Sequence, residues 1–117
     1  MTEPIRIFHN PRCSKSRQTL ELLTDRGIAP EIIRYLETPP TERELSDILD
    51  ALDRQPRELM RTGESEFKEL GLDNPDLSRE QLIAAMVANP KLIERPIVFA
   101  NGKAAVGRPP ENVLKIL

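Results

Sequence analysis

The stretch "IRIFHNPRCSKSRQTLELL" (residues 5–23) decides how the fold begins, because the residue pattern changes within it. Its apolar start, "IRIF" (5–8), predicts a short buried strand. The Asn10–Pro11 pair that follows breaks the regular structure, since proline lacks an N–H and restrains the backbone conformation of the residue before it. From Ser14 the apolar residues take helical spacing, and Gly27 is the expected helix stop. The stretch therefore predicts a strand, a loop and a helix, with Cys13 at the junction of loop and helix.

A second strand and a block of helices are predicted next. "EIIRYL" (31–36) has the pattern of a strand, and a helix between two strands favours a right-handed parallel β-α-β unit. Residues 41–90 are helical in pattern. Three helix starts are visible there: Thr41 with Glu44 as a capping box, Pro56 at a first helical position, and Ser78 followed by Gln81.

The C-terminal part predicts a hairpin and a last helix. In "PIVFANGKAAV" (96–106), Asn101-Gly102 separates two apolar runs, and both turn residues tolerate positive φ. "PENVLKIL" then closes the chain as a helix. The order β-α-β, helical segment, β-β-α is that of a thioredoxin-like α/β domain with a mixed four-stranded sheet. We expect a single domain over residues 1–117, with residues 41–90 as an enlarged helical segment.

The composition excludes several classes of protein. Hydrophobic residues make up 38% and charged residues 31%, as in an ordinary soluble domain. A net charge of -2 and 3% aromatic residues argue against nucleic-acid binding. No apolar run approaches about 18 residues, and the N-terminus lacks the apolar core of a signal peptide, so no membrane association is expected. A single cysteine fits a reducing compartment, and we expect a cytoplasmic monomer.

Cys13 is the only cysteine of the chain, so it cannot form an internal disulfide. At a helix N-terminus, unpaired N–H groups and the positive end of the dipole favour thiolate over thiol and attract anions. The flanking cations Arg12, Lys15 and Arg17 can add to both effects. A lone cysteine is commonly a small buried hydrophobe, but these polar neighbours favour a reactive thiolate.

The spacing around Cys13 narrows the chemistry. Ser16 stands where Cys-x-x-Cys needs its second cysteine, and Thr19 stands where Cys-x5-Arg needs its arginine. A dithiol oxidoreductase and a typical cysteine phosphatase are therefore excluded, which leaves a monothiol nucleophile that depends on an outside thiol. His9, the only histidine, pairs with the thiolate, hydrogen-bonds the loop, or only satisfies backbone groups at the end of the strand. One cysteine and one histidine fall short of four zinc ligands, so no metal is expected.

Three arginines stand out by their context: Arg61 at the end of "RELMR", Arg95 just before a strand, and Arg108 just after one. A guanidinium is planar, permanently charged and able to bind an oxyanion bidentately. Three of them converging on Cys13 would hold a tetrahedral oxyanion beside the sulfur, although a solvated surface role is the alternative for each. By analogy with thioredoxin-like domains, the Arg95–Pro96 bond is a candidate for a cis bond.

The run "FHNPRCSKSR" (8–17) resembles the motif of the glutaredoxin-coupled arsenate reductase (ArsC-type) family. The further segments that resemble this family are "YLETPP" (35–40), "RELMR" (57–61), "LIERPIV" (92–98) and "GRPPE" (107–111). The resemblance implies a thioredoxin-like fold, and an enzyme that reduces arsenate to arsenite with glutathione as co-substrate and glutaredoxin as partner. It implies no bound cofactor.

The resemblance also implies roles for individual residues. The nucleophile is Cys13, the oxyanion-binding residues are Arg61, Arg95 and Arg108, and the residues that support the thiolate are His9 and Ser16. Cys13 would attack arsenate or a similar oxyanion and water would leave. Glutathione would attack next, and glutaredoxin would resolve the mixed species. On this reading the resolving thiols come from outside the chain, which explains a single cysteine.

Two alternatives stay open at this stage. Resistance enzymes of the family commonly carry "CGTS", whereas this chain has "CSKS" (13–16), so the substrate can differ. The chain can be a glutathione-dependent monothiol reductase of another substrate, such as a protein mixed disulfide. It can also be a non-catalytic regulator of the same fold, although such regulators usually carry Cys-x-x-Cys, which Ser16 removes.

Overall fold

The computed structural model describes residues 5–117, which form two compact units. The first unit contains the described residues up to Thr38 together with Arg95–Leu117, and the second is Pro39–Glu94. The elements of the first unit are β1 (Arg6–Phe8), α1 (Ser14–Asp25), β2 (Glu31–Ile33), β3 (Ile97–Ala100), β4 (Lys103–Val106) and a 3₁₀ helix (Pro110–Ile116). Those of the second unit are α2 (Glu42–Leu52), α3 (Ser65–Glu69), α4 (Arg79–Ala88) and 3₁₀ turns at Pro56–Glu58 and Pro90–Leu92.

The first unit is built on a four-stranded sheet of order β2-β1-β3-β4. β1 pairs with β2 in parallel, while the β1–β3 and β3–β4 pairs are antiparallel. The sheet is therefore mixed, as predicted, and α1 makes the expected crossover between two parallel strands. Its buried residues in β1, α1, β3 and the last 3₁₀ helix include Ile7, Leu23, Val98 and Val113, all fully buried.

Local residue patterns account for two turns of the first unit, the one after α1 and the one between β3 and β4. Gly27, two residues after the last residue of α1, terminates the helix: it has φ 76° and donates its N–H to Thr24 O at 2.9 Å. Ile28 N–H reaches Leu23 O at 3.0 Å, which completes a Schellman motif. At the predicted hairpin, Asn101 and Gly102 adopt φ of 55° and 73°, the conformation that a two-residue type I′ turn requires.

The second unit is helical, as the pattern of residues 41–90 predicts. Both predicted capping boxes form: Thr41 with Glu44 opens α2, and Ser78 with Gln81 opens α4. Arg79, in the first turn of α4, donates to Ser46 O at 3.2 Å and to the Asp50 carboxylate at 2.9 Å, and so ties α4 to α2. The apolar faces of the two helices are buried, with Leu45, Leu49, Leu82 and Met86 at most 3% exposed.

Several elements differ from the prediction. β2 ends at Ile33 rather than at residue 36, because its partner strand β1 ends at Phe8. The chain then turns, and the N–H groups of residues 37 and 38 both donate to Arg34 O at 2.9 Å. Pro56 opens only a single 3₁₀ turn, and the last helix is 3₁₀ throughout. None of the helices in residues 5–117 combines the length and the hydropathy that crossing a bilayer requires.

Candidate active site

The sheet topology brings three sequence-distant segments to one edge of the first unit. β4 pairs antiparallel to β3, and β3 antiparallel to β1, so β4 runs in the same direction as β1. Cys13 follows the end of β1 and Arg108 follows the end of β4, while Arg95 precedes the start of the reversed strand β3. All three residues therefore lie beyond the same edge of the sheet.

Cys13 is the N-cap residue of α1. Its backbone is extended, with φ -93° and ψ 123°, and its carbonyl accepts the Arg17 N–H at 3.0 Å, the first bond of the helix. Its own N–H donates to Asn10 O at 3.0 Å, which closes the loop between β1 and α1. The side chain makes no capping bond, and the residue is 8% exposed. Cys13 thus stands at the helix start with a small accessible surface, and its side chain leaves the first N–H groups of α1 uncapped.

The start of α1 carries no negative charge of its own. α2 and α4 have glutamates in their first turns, as the helix dipole favours, but α1 has none. Its first residues include Lys15 and Arg17 instead, and no Asp or Glu occurs between residues 4 and 20. The positive end of α1 is therefore not neutralised by carboxylates from the same segment, which favours an anion at this position.

Arg108 is the residue whose side chain lies next to the Cys13 sulfur. Its Nη2 lies 3.6 Å from Cys13 Sγ, although the two residues are 95 positions apart in sequence. Its Nε donates to Arg95 O at 2.8 Å, which holds the guanidinium in place. A permanent cation at this distance can receive an oxyanion bound beside the sulfur. The Arg95 side chain is half-buried.

Gly107 packs closely where β4 ends. Its N–H donates to Pro96 O at 2.9 Å, and an added Cβ would lie 2.5 Å from Thr19 Oγ1 and 2.8 Å from Pro96 Cγ. A larger residue would push the chain away from α1 and shift Arg108, the next residue. The Arg95–Pro96 bond is cis, and so is the Arg108–Pro109 bond, which the sequence analysis did not single out.

His9 and Ser16 are buried beneath the loop and bond to each other. His9 Nδ1 and Ser16 Oγ are 2.5 Å apart, and Ser16 Oγ also accepts the Asn10 N–H at 3.0 Å. Burial, followed by the charges of Arg34 and Arg17, lowers the pKa of His9 from its usual 6.5. The tautomer of the neutral imidazole decides whether Nδ1 donates to the Ser16 hydroxyl or accepts from it. The pair therefore connects the residue after β1 to the first turn of α1.

Arg17 also holds the loop, a contact that the sequence analysis did not anticipate. Its Nη1 donates to Pro11 O at 2.9 Å, across the turn that contains Cys13. From the sequence alone, Arg17 is expected only to be a nearby cation. A general signal was present, since arginine three to four residues into a helix can reach back to the preceding loop. The loop is thus fixed from α1 by Ser16 and by Arg17.

Arg61 belongs to the second unit, where its surroundings differ from those of Arg108. It follows the first 3₁₀ turn, and its backbone N–H donates to Leu92 O at 2.7 Å. Its Nη1 pairs with the Glu64 carboxylate at 2.7 Å, and its Nε lies 3.9 Å from the Glu94 carboxylate. Its guanidinium is therefore partly neutralised within its own unit, by carboxylates that the sequence analysis overlooked. Among the residues that the structure describes, no three His, Cys, Asp or Glu side chains group as metal ligands.

Comparisons with known proteins agree with this architecture. The chain is 58% identical over 118 residues to the uncharacterized protein YfgD of Escherichia coli K12, covering 100% of this chain and 99% of that protein. It is 56% identical over 114 residues to a protein of Neisseria meningitidis named arsenate reductase, covering 97% of each. A solved structure named arsenate reductase from Vibrio cholerae superposes with a TM-score of 0.96 at 52% identity, with 100% of both chains covered.

The fold and the family follow from these observations together. The mixed four-stranded sheet, the element order and the match to the Vibrio cholerae structure confirm the predicted thioredoxin-like α/β fold. The family model described as "ArsC family" matches residues 8–116, nearly the whole sequence. The chain belongs to the ArsC family.

Proposed function

We propose that the chain is an arsenate reductase that uses the Cys13 thiolate as nucleophile and takes its electrons from glutathione and glutaredoxin. The observation that carries the proposal is the Arg108 guanidinium, 3.6 Å from the Cys13 sulfur at the uncapped start of α1. A thiolate and a multiply charged oxyanion both need positive charge at the same point, and the helix start and the guanidinium supply it. The names of the Neisseria and Vibrio relatives point to arsenate as the oxyanion.

The first step is a substitution at arsenic. The sulfur of Cys13 donates an electron pair to arsenic, an S–As bond forms, and one As–O bond breaks. The leaving hydroxide takes a proton and departs as water. In this step Arg108 and the N–H groups of α1 stabilise the charge on the remaining oxygens. Arg95 is assigned to the same oxyanion site by its place beyond the same sheet edge, and Arg61 by the family resemblance alone.

The electrons come from outside the chain. Reducing As(V) to As(III) takes two electrons, and the chain has one cysteine, so it cannot form its own disulfide. A glutathione thiol attacks the arsenic of the Cys13 thioester, a second S–As bond forms, and a second oxygen leaves as water. A glutaredoxin thiol then attacks the glutathione sulfur; the bond between that sulfur and arsenic breaks with its electron pair left on arsenic, which becomes As(III), and glutathione and glutaredoxin are left as a mixed disulfide. Water hydrolyses the remaining Cys13–As bond, which releases arsenite and restores the Cys13 thiolate. One arsenate and two thiols thus give one arsenite, one disulfide and one water.

His9 and Ser16 serve this chemistry by fixing the loop. Their buried bond to each other and to Asn10 N–H sets the backbone from which Cys13 projects. The reaction needs reduced glutathione, so we also propose a reducing compartment, the cytoplasm, as its location. Nothing in the proposed reaction requires a second copy of the chain, which fits a monomer.

The proposal is tested by steady-state arsenate reduction with glutathione and glutaredoxin. Arg108→Ala should lower kcat/KM for arsenate about 100-fold, the usual loss when one donor to a developing oxyanion is removed. Arg43→Ala, which removes an exposed arginine of α2, is the matched control and should retain wild-type activity. A wild-type protein that cleaves a glutathionylated peptide but does not reduce arsenate would replace this proposal with the mixed-disulfide reductase. If Arg108→Ala and Arg43→Ala had the same kcat/KM for arsenate, Arg108 would not be part of the oxyanion site.

A further inference from the structure

Two cations stand at the rim of the site around Cys13. Arg12 directly precedes Cys13 and is exposed, and Lys15 lies in the first turn of α1 and is half-buried. Within residues 5–117, neither side chain donates a hydrogen bond or pairs with a carboxylate. We refer to Arg12 and Lys15 as the rim cations. Their charges are available to a reactant that approaches the sulfur.

The backbone that carries Arg12 is held from both sides. Arg12 N–H donates to Asn10 Oδ1 at 3.0 Å, and Cys13 N–H donates to Asn10 O at 3.0 Å. The carbonyl of Pro11 accepts Arg17 Nη1 at 2.9 Å. The Cα atom of Arg12 therefore keeps a fixed place beside that of Cys13, about 3.8 Å away, and only the Arg12 side chain has to adjust to a ligand.

A reactant reaches the sulfur from the exposed side of the loop. Cys13 itself is 8% exposed, whereas Pro11, Arg12 and Ser14 are all exposed. Ser16, in the first turn of α1, is fully buried, so the inner side of the helix start is closed. A thiol that attacks a group bound at Cys13 must therefore pass over the rim that contains Arg12.

The rim cations are separate from the group that meets the oxyanion. The guanidinium of Arg108 is the one that lies 3.6 Å from Cys13 Sγ, and neither rim cation makes such a contact within the described part of the chain. No Asp or Glu occurs between residues 4 and 20, so the rim has no carboxylate from its own segment. This further positive charge favours a second anionic reactant at the same mouth.

We propose that Arg12 and Lys15 select a thiol that carries a carboxylate, as glutathione does, over an uncharged thiol. This inference rests on the proposed function, since it concerns the thiol that attacks the arsenic bound to Cys13. In glutathione the glycine carboxylate lies one residue from the thiol, and Arg12 likewise lies one residue from Cys13. The Arg12 guanidinium binds this carboxylate bidentately while the thiol faces the site, and Lys15 adds positive charge beside it.

The experiment follows thiol–disulfide exchange at Cys13, which involves no arsenate. The Cys13 thiolate attacks one sulfur of a disulfide, a new S–S bond to Cys13 forms, the original S–S bond breaks, and the other half leaves as a thiolate. The probes are oxidised glutathione, its diester with both glycine carboxylates masked, and the uncharged 2-hydroxyethyl disulfide. Mass spectrometry gives the second-order rate constant for each probe.

The quantity compared is the selectivity ratio, the rate constant for oxidised glutathione divided by that for the uncharged disulfide. A change in the reactivity of the sulfur itself affects both rate constants and cancels in the ratio. Arg12→Ala should lower the ratio about fivefold, and the double variant Arg12→Ala/Lys15→Ala should lower it further. Arg26→Ala, which removes an exposed arginine just after the other end of α1, is the matched control and should keep the wild-type ratio.

Two further comparisons use the same reaction. With the diester, Arg12→Ala should react as fast as the wild-type protein, because the carboxylate that Arg12 binds is masked. In the wild-type protein, raising the salt from about 0.01 M to about 1 M should lower the selectivity ratio severalfold, since the screening length falls from about 30 Å to about 3 Å. The salt comparison needs no variant, so it stands even where a variant folds poorly.

The proposal is overturned if Arg12→Ala keeps the wild-type ratio, if Arg26→Ala lowers the ratio equally, if masking the glycine carboxylates does not abolish the Arg12 effect, or if salt leaves the wild-type ratio unchanged. The outcome is separate from that of the arsenate assay. A wild-type protein that shows this selectivity but does not reduce arsenate would refute the proposed function and retain the role of the rim cations. One that reduces arsenate without the selectivity would do the reverse.

Discussion

At the scale of single residues, the site consists of one sulfur and the positive groups around it. The sequence predicted the position of Cys13 at a helix start, because proline, polar residues and helical spacing are local signals. It could not show that Arg108 reaches the sulfur, since that contact joins residues 95 positions apart and depends on the sheet. It also did not reveal the bond of Arg17 to Pro11, or the glutamates around Arg61, because each depends on side-chain positions.

The contact of Arg108 with the sulfur predicts how fast Cys13 reacts with an alkylating agent. At pH 7, Arg108→Ala should slow alkylation by iodoacetamide severalfold, since it removes the positive charge that lies 3.6 Å from the sulfur. Arg108→Lys should retain an intermediate rate, because the charge stays but the planar fork is lost. The rates are read by mass spectrometry, with Arg43→Ala as the control. Alkylation of Arg108→Ala at the wild-type rate would show that this contact has no influence on the thiolate.

The buried His9 predicts a pH dependence of stability. Its pKa is lowered in the folded protein from 6.5, so the unfolded chain binds the proton more readily. The stabilisation linked to neutral His9 is therefore complete above pH 6.5 and is lost as the pH falls below that value towards the folded-state pKa. Urea unfolding of the wild-type protein between pH 7.5 and 5 should show this decline, and His9→Gln should show a shallower one. Equal slopes in both proteins would exclude His9 as its source.

At the scale of elements, the features that could be predicted from the sequence are those that local interactions determine. The two capping boxes, the glycine after α1 and the Asn101-Gly102 turn are each set by residues a few positions apart, and each forms as expected. The length of β2 and the 3₁₀ form of the last helix were not predictable in this way. β2 ends where β1 ends, so its boundary depends on a partner strand rather than on its own residues.

Close packing at the end of β4 predicts a strong effect at Gly107. Gly107→Ala should lower the free energy of unfolding by about 1–3 kcal/mol, because the added Cβ would overlap Thr19 and Pro96. Gly63→Ala is the control, since a Cβ there meets nothing within 4 Å, and it should stay within about 0.5 kcal/mol of wild type. Denaturant unfolding measures both changes. A Gly107→Ala protein as stable as the Gly63→Ala control would contradict the packing described for β4.

At the scale of the whole molecule, the single cysteine sets the limits of the chemistry. A chain with one thiol can form a covalent intermediate but cannot supply two electrons by itself. The family and the fold are established by the match over residues 8–116 and by the Vibrio cholerae structure. The dependence on glutathione and glutaredoxin is proposed from the single cysteine and is tested by leaving out each thiol in turn.

The most direct measurement is arsenite formation by the purified chain supplied with arsenate, glutathione and glutaredoxin. We predict steady turnover by the wild-type protein, loss of nearly all turnover when glutaredoxin is omitted, and none with Cys13→Ser, since a serine hydroxyl cannot replace the thiolate as a nucleophile here. Arsenite production by Cys13→Ser at the wild-type rate, or no arsenite from the wild-type protein with both thiol partners present, would contradict the central claim that Cys13 attacks arsenate.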